Sequence, residues 1–131
     1  MDNNKKVADF VSGTRYSDIP EGVRHKTKLA FLDALGAALS GSLVGVTKIS
    51  IDFANKSMPG DQATMILGGG KASEMGAAFV NANAANAFDT DDDNPMVKGH
   101  IGAQLVAAAL ATAEAEGRSG QDLITGLAVA F

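Results

Sequence analysis

Between Phe88 and Gly102 the chain reads FDTDDDNPMVKGHIG. Asp89, Asp91, Asp92 and Asp93 crowd into five positions, and His100, one of the two histidines, follows within a few residues. Carboxylates packed this closely repel, so at least one is expected to hold a proton more readily than usual. An imidazole titrates near neutrality. A carboxylate and an imidazole held together could exchange protons with a substrate. The backbone N–H groups from Ile101 to Ala103, at the start of an expected helix, could receive that substrate's anionic group. Two other readings compete with this one. The stretch can be a solvated acidic loop, or it can bind Mg²⁺ or Ca²⁺ loosely. A calcium EF-hand is the weakest fit. Asp89, Asp91 and Asp93 match its first, third and fifth positions, but Asn94 replaces the glycine of the sharp turn and His100 replaces the closing glutamate.

The elements around the stretch read as successive helices with short breaks. A helix from about Lys5 to Gly13 carries Val7, Phe10 and Val11 at helical spacing. A turn at YSDIP leads to a second helix over about Pro20 to Ser40, with Leu32, Leu35 and Leu39 as an apolar stripe and Gly41 as its stop. Asp33 interrupts that stripe and is expected at an exposed edge, since Asp is seldom buried unpaired. A third helix runs from about Val46 to Lys56, with Val46, Ile49 and Phe53 on one side. Ala63 to Leu67 suits a short extended segment closed by Gly68, Gly69 and Gly70. That glycine run lacks the spacing of a phosphate loop and reads as a turn.

A fourth helix begins near Ala72 or Ser73, with Met75, Ala78, Phe79, Ala82 and Ala85 on one face. Carried one turn further, that face reaches Asp89 and predicts it on the packed side. The fifth helix is expected from Ile101 to Glu116, with Leu105, Ala108 and Ala109 inward. Ser119 and Asp122 then form a capping box that opens a sixth. Its apolar run continues to Phe131 without a cap, from which the chain is expected to be the N-terminal piece of something longer.

Composition narrows the function classes. The 131 residues are 46% hydrophobic and 20% charged, as in a globular domain. The net charge of −4 and the absence of long basic runs argue against nucleic-acid binding. No apolar run reaches the roughly 18 residues a membrane span needs, and no signal-peptide core follows the N-terminus, so a cytoplasmic protein is expected. With no cysteine, thiolate-held zinc and iron–sulfur clusters are excluded within the chain. Tryptophan is absent as well, and Ala and Gly supply much of the apolar content, so a core is expected to form by close approach of backbones.

The order of motifs adds what no single motif carries. The succession ADFVSGTRYSDIP, FLDALGAALSG, GAAFVNANAANAFDTDDD and GHIGAQLVAAALATAEAEGRSGQDLI resembles the N-terminal helical domain of the MmgE/PrpD family, which includes 2-methylcitrate dehydratase, cis-aconitate decarboxylase and iminodisuccinate epimerase. The resemblance implies an all-α domain of about six helices, followed in the family by a smaller α/β lid domain. It implies a lyase or isomerase acting on small di- or tricarboxylates, with no metal or other cofactor, assembled as a homodimer or higher oligomer. The first Asp of the acidic segment and the His of a His-Pro motif line the family's active site and match Asp89 and His100. Departures lie nearby. His100 is followed by Ile101 rather than proline, and Asp93 replaces a threonine or similar residue. The loop to the histidine is longer by one residue. Asp93 and Lys98 are therefore expected to touch the substrate, with Lys98 offsetting part of the added negative charge. The family's further catalytic histidine and lysines would fall beyond Phe131, so this chain is expected to be inactive alone. The alternative is a non-catalytic helical module for dimerisation or binding.

Overall fold

The computed structural model describes residues 2–96 and 98–131. Along them run helices α1 (Asn3–Gly13), α2 (Glu21–Gly41), α3 (Gly45–Ser57), α4 (Glu74–Asn86), α5 (Ile101–Ala115) and α6 (Gly120–Ala130). A hairpin of β1 (Ala63–Met65) and β2 (Gly70–Ala72) lies between α3 and α4. The domain is mostly helical, as the periodicity predicts, and the extended segment and glycine turn fall where expected. None of the described helices is by itself long and apolar enough to cross a membrane.

Small residues make the core. α4 lies between α2 and α5, with α3 against α4 and α6 against α2 and α5. The buried residues of α2 are Thr27, Ala34, Ala37, Ala38 and Gly41, and those of α3 are Thr47, Ser50 and Ala54. A β-carbon on Gly41 would sit 1.8 Å from the Ala84 carbonyl oxygen, so α2 and α4 touch backbone to backbone there. Thr47 secures the turn between α2 and α3 by donating its hydroxyl to the Gly41 carbonyl at 2.7 Å.

This packing corrects the expected inward faces. Leu32 and Leu39 of the α2 stripe are 63% and 40% exposed, and Val46, Ile49 and Phe53 of α3 are exposed as well. In α4 the buried residues are Gly76, Ala77, Val80, Asn81, Ala84 and Ala85, while Met75 points outward. In α5 they are Gly102, Ala103, Val106, Ala107 and Ala111, and Ala108 is exposed. The cause is steric: where Ala38, Ala84, Ala85 and Ala103 close the gap between α2, α4 and α5 there is no room for leucine or phenylalanine, and a larger side chain such as Leu127 is buried where α6 packs. α1 buries no residue at all, and Val7, Phe10 and Val11 stand more than half exposed. Asp33 is exposed, as expected.

Polar contacts lock the hairpin onto the helices. Buried Asn81 accepts from the Ile66 amide at 2.8 Å and donates to the Thr64 carbonyl at 3.0 Å. The Glu114 carboxylate accepts from the Thr64 amide and hydroxyl at 2.8 and 2.7 Å, with the Lys71 ammonium 3.2 Å away. These bonds hold the Glu114 carboxyl below the usual carboxylate range, the Thr64 hydroxyl contributing most. The capping box at Ser119 and Asp122 is formed as the sequence predicts.

Candidate functional site

The acidic stretch joins the C-terminal end of α4 to the N-terminal end of α5. α4 stops at Asn86, and the Asp89 amide donates to the Asn86 carbonyl at 3.1 Å. Asp89 then takes a left-handed conformation, φ 55°, which aspartate tolerates better than most residues. That turn breaks the helical phase. The side chain of Asp89 is therefore 82% exposed and not on the packed face, contrary to the expectation drawn from extending α4. Asp91 takes the inward position instead, with a side chain wholly removed from solvent. Asn86 points its amide nitrogen at both Asp91 oxygens, at 3.4 Å each.

Asp92 has a different task. Its Oδ1 accepts from the Gly102 amide at 2.7 Å, capping the first turn of α5. A carboxylate suits this position because the helix N-terminus carries unpaired N–H groups and partial positive charge. The protein's own carboxylate thus occupies part of the anion site that the sequence suggested for substrate. Asn94 and Gly99 face each other across an isolated antiparallel bridge. The Asn94 amide donates to the Gly99 carbonyl at 3.1 Å, and the Lys98 amide donates to the Asn94 carbonyl at 2.8 Å. Lys98 is left-handed and exposed, and Asp93 is exposed too. Among the described residues no lysine or arginine pairs with any of the four aspartates, so Lys98 does not offset their charge by an ion pair.

His100, the N-cap residue of α5, sits between two carboxylates. Its Nε2 lies 3.3 Å from Asp89 Oδ1, and its Nδ1 lies 3.3 Å from Asp91 Oδ1. The ring is about one-third exposed, yet Nδ1 is buried, and its approach to Asp91 misses hydrogen-bond geometry. Its pKa reflects opposing influences. Partial burial is the largest and pushes it down. The charge and nearby backbone of Asp91 and the charges of Asp89 and Asp93 together outweigh it and raise the value above 6.5.

The sequence therefore singled out Asp89 and His100, which the fold brings together, but missed Asp91, the buried member. Asp93 stays within electrostatic reach of the ring, whereas Lys98 stands apart on the turn. Asn86 at the end of an alanine-rich run was the available signal, because a helix that stops there cannot carry its phase to residue 89.

Asp89, Asp91 and His100 present ligand atoms within 4.8 Å of one another, and these are the residues that could hold a cation. The ring, however, turns one nitrogen to each carboxylate. Coordination of a single ion by all three requires the ring or a carboxylate to swing. Beside Thr90 an open groove of about 500 Å³ runs along α2, lined also by Leu29, Leu32, Asp33, Gly36, Ala37 and Ser40.

In comparisons with known proteins, the family described as the MmgE/PrpD N-terminal domain matches residues 5–131, nearly the whole chain. Searches of curated proteins and of solved structures return no match.

Proposed function

This chain belongs to the MmgE/PrpD family, and from that premise we propose that it carries one half of an acid–base site for a lyase or isomerase acting on a small di- or tricarboxylate, as in 2-methylcitrate dehydratase. The observation that carries the reading is the imidazole of His100 held between buried Asp91 and exposed Asp89, 3.3 Å from each.

Each group has a distinct task in this reading. Buried Asp91 faces Nδ1, favours the tautomer protonated there and stabilises the imidazolium once it forms. Nε2 then points toward the open side, where it takes a proton from the carbon beside a carboxylate or returns one to a departing hydroxyl. Asp89, exposed and reached through a left-handed turn, is the partner that receives or supplies that proton. Partial burial pushes the His100 pKa down, but the nearby carboxylates raise it overall, which favours the protonated ring. The contacts are long, as is common before substrate tightens a site.

Charge supports the word half. Four carboxylates and one imidazole cannot by themselves hold a substrate bearing two or three carboxylates, since like charges brought together disfavour binding. In this reading the cationic contacts to the substrate come from outside the acidic loop, from residues beyond 1–131. The partner substrate is a small carboxylate, and neither nucleic acid nor membrane enters the reading. The domain works without a metal in this reading and resides in the cytoplasm.

The test is a panel of citrate-like and succinate-like acids, followed by exchange of the hydrogen beside the carboxylate for deuterium and by formation of a double bond. The 131-residue chain alone is expected to show no turnover, and a longer protein containing it is expected to be active. Robust turnover by the isolated chain would contradict the half-site reading.

A further inference from the structure

At the N-terminal turns of α2 lies a pocket of about 280 Å³ lined by Tyr16, Glu21, Arg24, His25 and Lys28. The groove beside Thr90 begins further along the helix, at Leu29, and shares no residue with it. Three of the five lining side chains are basic and one is acidic. Arg24 and Lys28 stand four residues apart on α2, a spacing at which like charges repel and cost helix stability. Glu21, three residues before Arg24, is placed to relieve that repulsion. Yet among the described residues neither Arg24, His25 nor Lys28 forms an ion pair with any carboxylate.

Arg24 is nonetheless held in place. Its guanidinium lies over the Tyr16 ring, 4.8 Å from the centroid, and its Nη1 donates to the Tyr16 carbonyl at 3.4 Å. An arginine anchored through its face and one nitrogen keeps further N–H donors for a ligand. It also loses little side-chain freedom when that ligand arrives. A pinned, unpaired arginine beside a second cation, on the wall of one pocket, calls for an anion.

We propose that this pocket binds a small phosphate monoester, with Arg24 as its anchor and Lys28 and His25 as further donors. A phosphate group presents three oxygens and close to two negative charges, which suits three donors around one pocket. A carboxylate presents two oxygens in one plane and is satisfied by the arginine alone. Glu21 on the same wall disfavours a second anionic group, so a dicarboxylate fits less well than a phosphate ester. The volume lies at the small end of ligand sites, which admits an ester of a few carbons. The pocket is separate from the acid–base site, so the proposal does not rest on the catalytic reading.

The experiment titrates the intact 131-residue chain with inorganic phosphate, glycerol 3-phosphate and succinate at fixed ionic strength, followed by nuclear magnetic resonance of the backbone amides and the His25 ring. Saturable binding of both phosphates is expected, with shifts centred on residues 16–28. Succinate is expected to bind more weakly despite its similar charge. Arg24→Gln is expected to weaken phosphate binding by about 10-fold or more, the scale of a hydrogen bond to a charged group. Lys28→Gln leaves the Tyr16 contact intact, so it tests the site even where Arg24→Gln disturbs the helix; a loss of about 3-fold is expected. Lys48→Gln, on α3 and outside the pocket, is expected to change nothing. Vesicles containing phosphatidate are expected to bind the chain no better than phosphatidylcholine vesicles, because the pocket is concave and small. Four results would each overturn the proposal: no saturation, binding indifferent to both pocket substitutions, succinate binding as tightly as glycerol 3-phosphate, or recruitment to phosphatidate vesicles alone.

Discussion

The two ends of α5 carry polar clusters built on opposite principles. At the C-terminal end Glu114 is saturated, with two hydrogen bonds from Thr64 at 2.7 and 2.8 Å and the Lys71 ammonium beside it. At the N-terminal end His100 makes two 3.3 Å charge contacts, leaves a buried ring nitrogen without a hydrogen bond and depends on a left-handed aspartate. A cluster that serves stability satisfies its groups. One that serves proton transfer keeps them within reach of each other and of an incoming substrate, and accepts strain and poor geometry in return. The comparison separates a carboxylate saturated by hydrogen bonds, Glu114, from those of Asp89 and Asp91, which on the proposed reading take part in proton transfer.

The sharpest way to break the comparison is to remove one group from each end. In an active protein containing this domain, His100→Ala is expected to lower turnover by about 10²-fold or more, the usual loss for an acid–base group, with little change in melting temperature. Asp89→Asn is expected to cost a similar factor, measured by the same steady-state assay. Near-normal rates in both would return the loop to a solvated surface feature.

Glu114→Gln is expected to do the reverse. Denaturant unfolding should show a loss of about 1–2 kcal/mol, the scale for hydrogen bonds to a charged group, with turnover unchanged. Because the Glu114 carboxyl is held below its ordinary value, its contribution is present above about pH 4.5 and is lost as pH falls through the lowered value. Unfolding curves between pH 7 and pH 3 should therefore converge for wild type and Glu114→Gln at the acid end.

The smallest effect is expected at Gly102. A β-carbon there would lie 2.2 Å from Asp92 Oδ1 and would push the capping carboxylate aside. Loss of the cap costs about 1 kcal/mol, and replacing a helical glycine with alanine returns nearly as much. Gly102→Ala should thus leave stability within about 1 kcal/mol of wild type. A larger loss would show that Asp92 holds more of the loop than the helix end alone.

Much of this architecture was legible in the sequence because it rests on local signals. Pro20, the Ser119–Asp122 box and the glycines at 68–70 mark boundaries through backbone chemistry alone. The facing of the helices was not legible. A rule that places large apolar residues inward fails when alanine and glycine close the gaps, as between Gly41 and Ala84, and no local feature of α2 announces that close approach. At the candidate site the same limit applied. Asp89 and His100 were singled out by the family resemblance and by a helical phase that does not hold at Asp89, and Asp91 was hidden because one left-handed residue redirects the chain after α4. The exposed position of Asp89 and the use of Asp92 as a helix cap are consequences of that turn.

The most direct test follows the ring itself, by nuclear magnetic resonance titration of His100 in this chain and in Asp91→Asn. A raised pKa means that the protonated ring is favoured by the fold, a stabilisation present below about pH 6.5 and lost as pH rises through the raised value. The account predicts a midpoint above 6.5 in the wild-type chain and a clear fall in Asp91→Asn, where partial burial remains without the opposing charge. A wild-type midpoint at or below 6.5 that does not move when Asp91 is neutralised would contradict the claim that the buried carboxylate sets the proton affinity of His100.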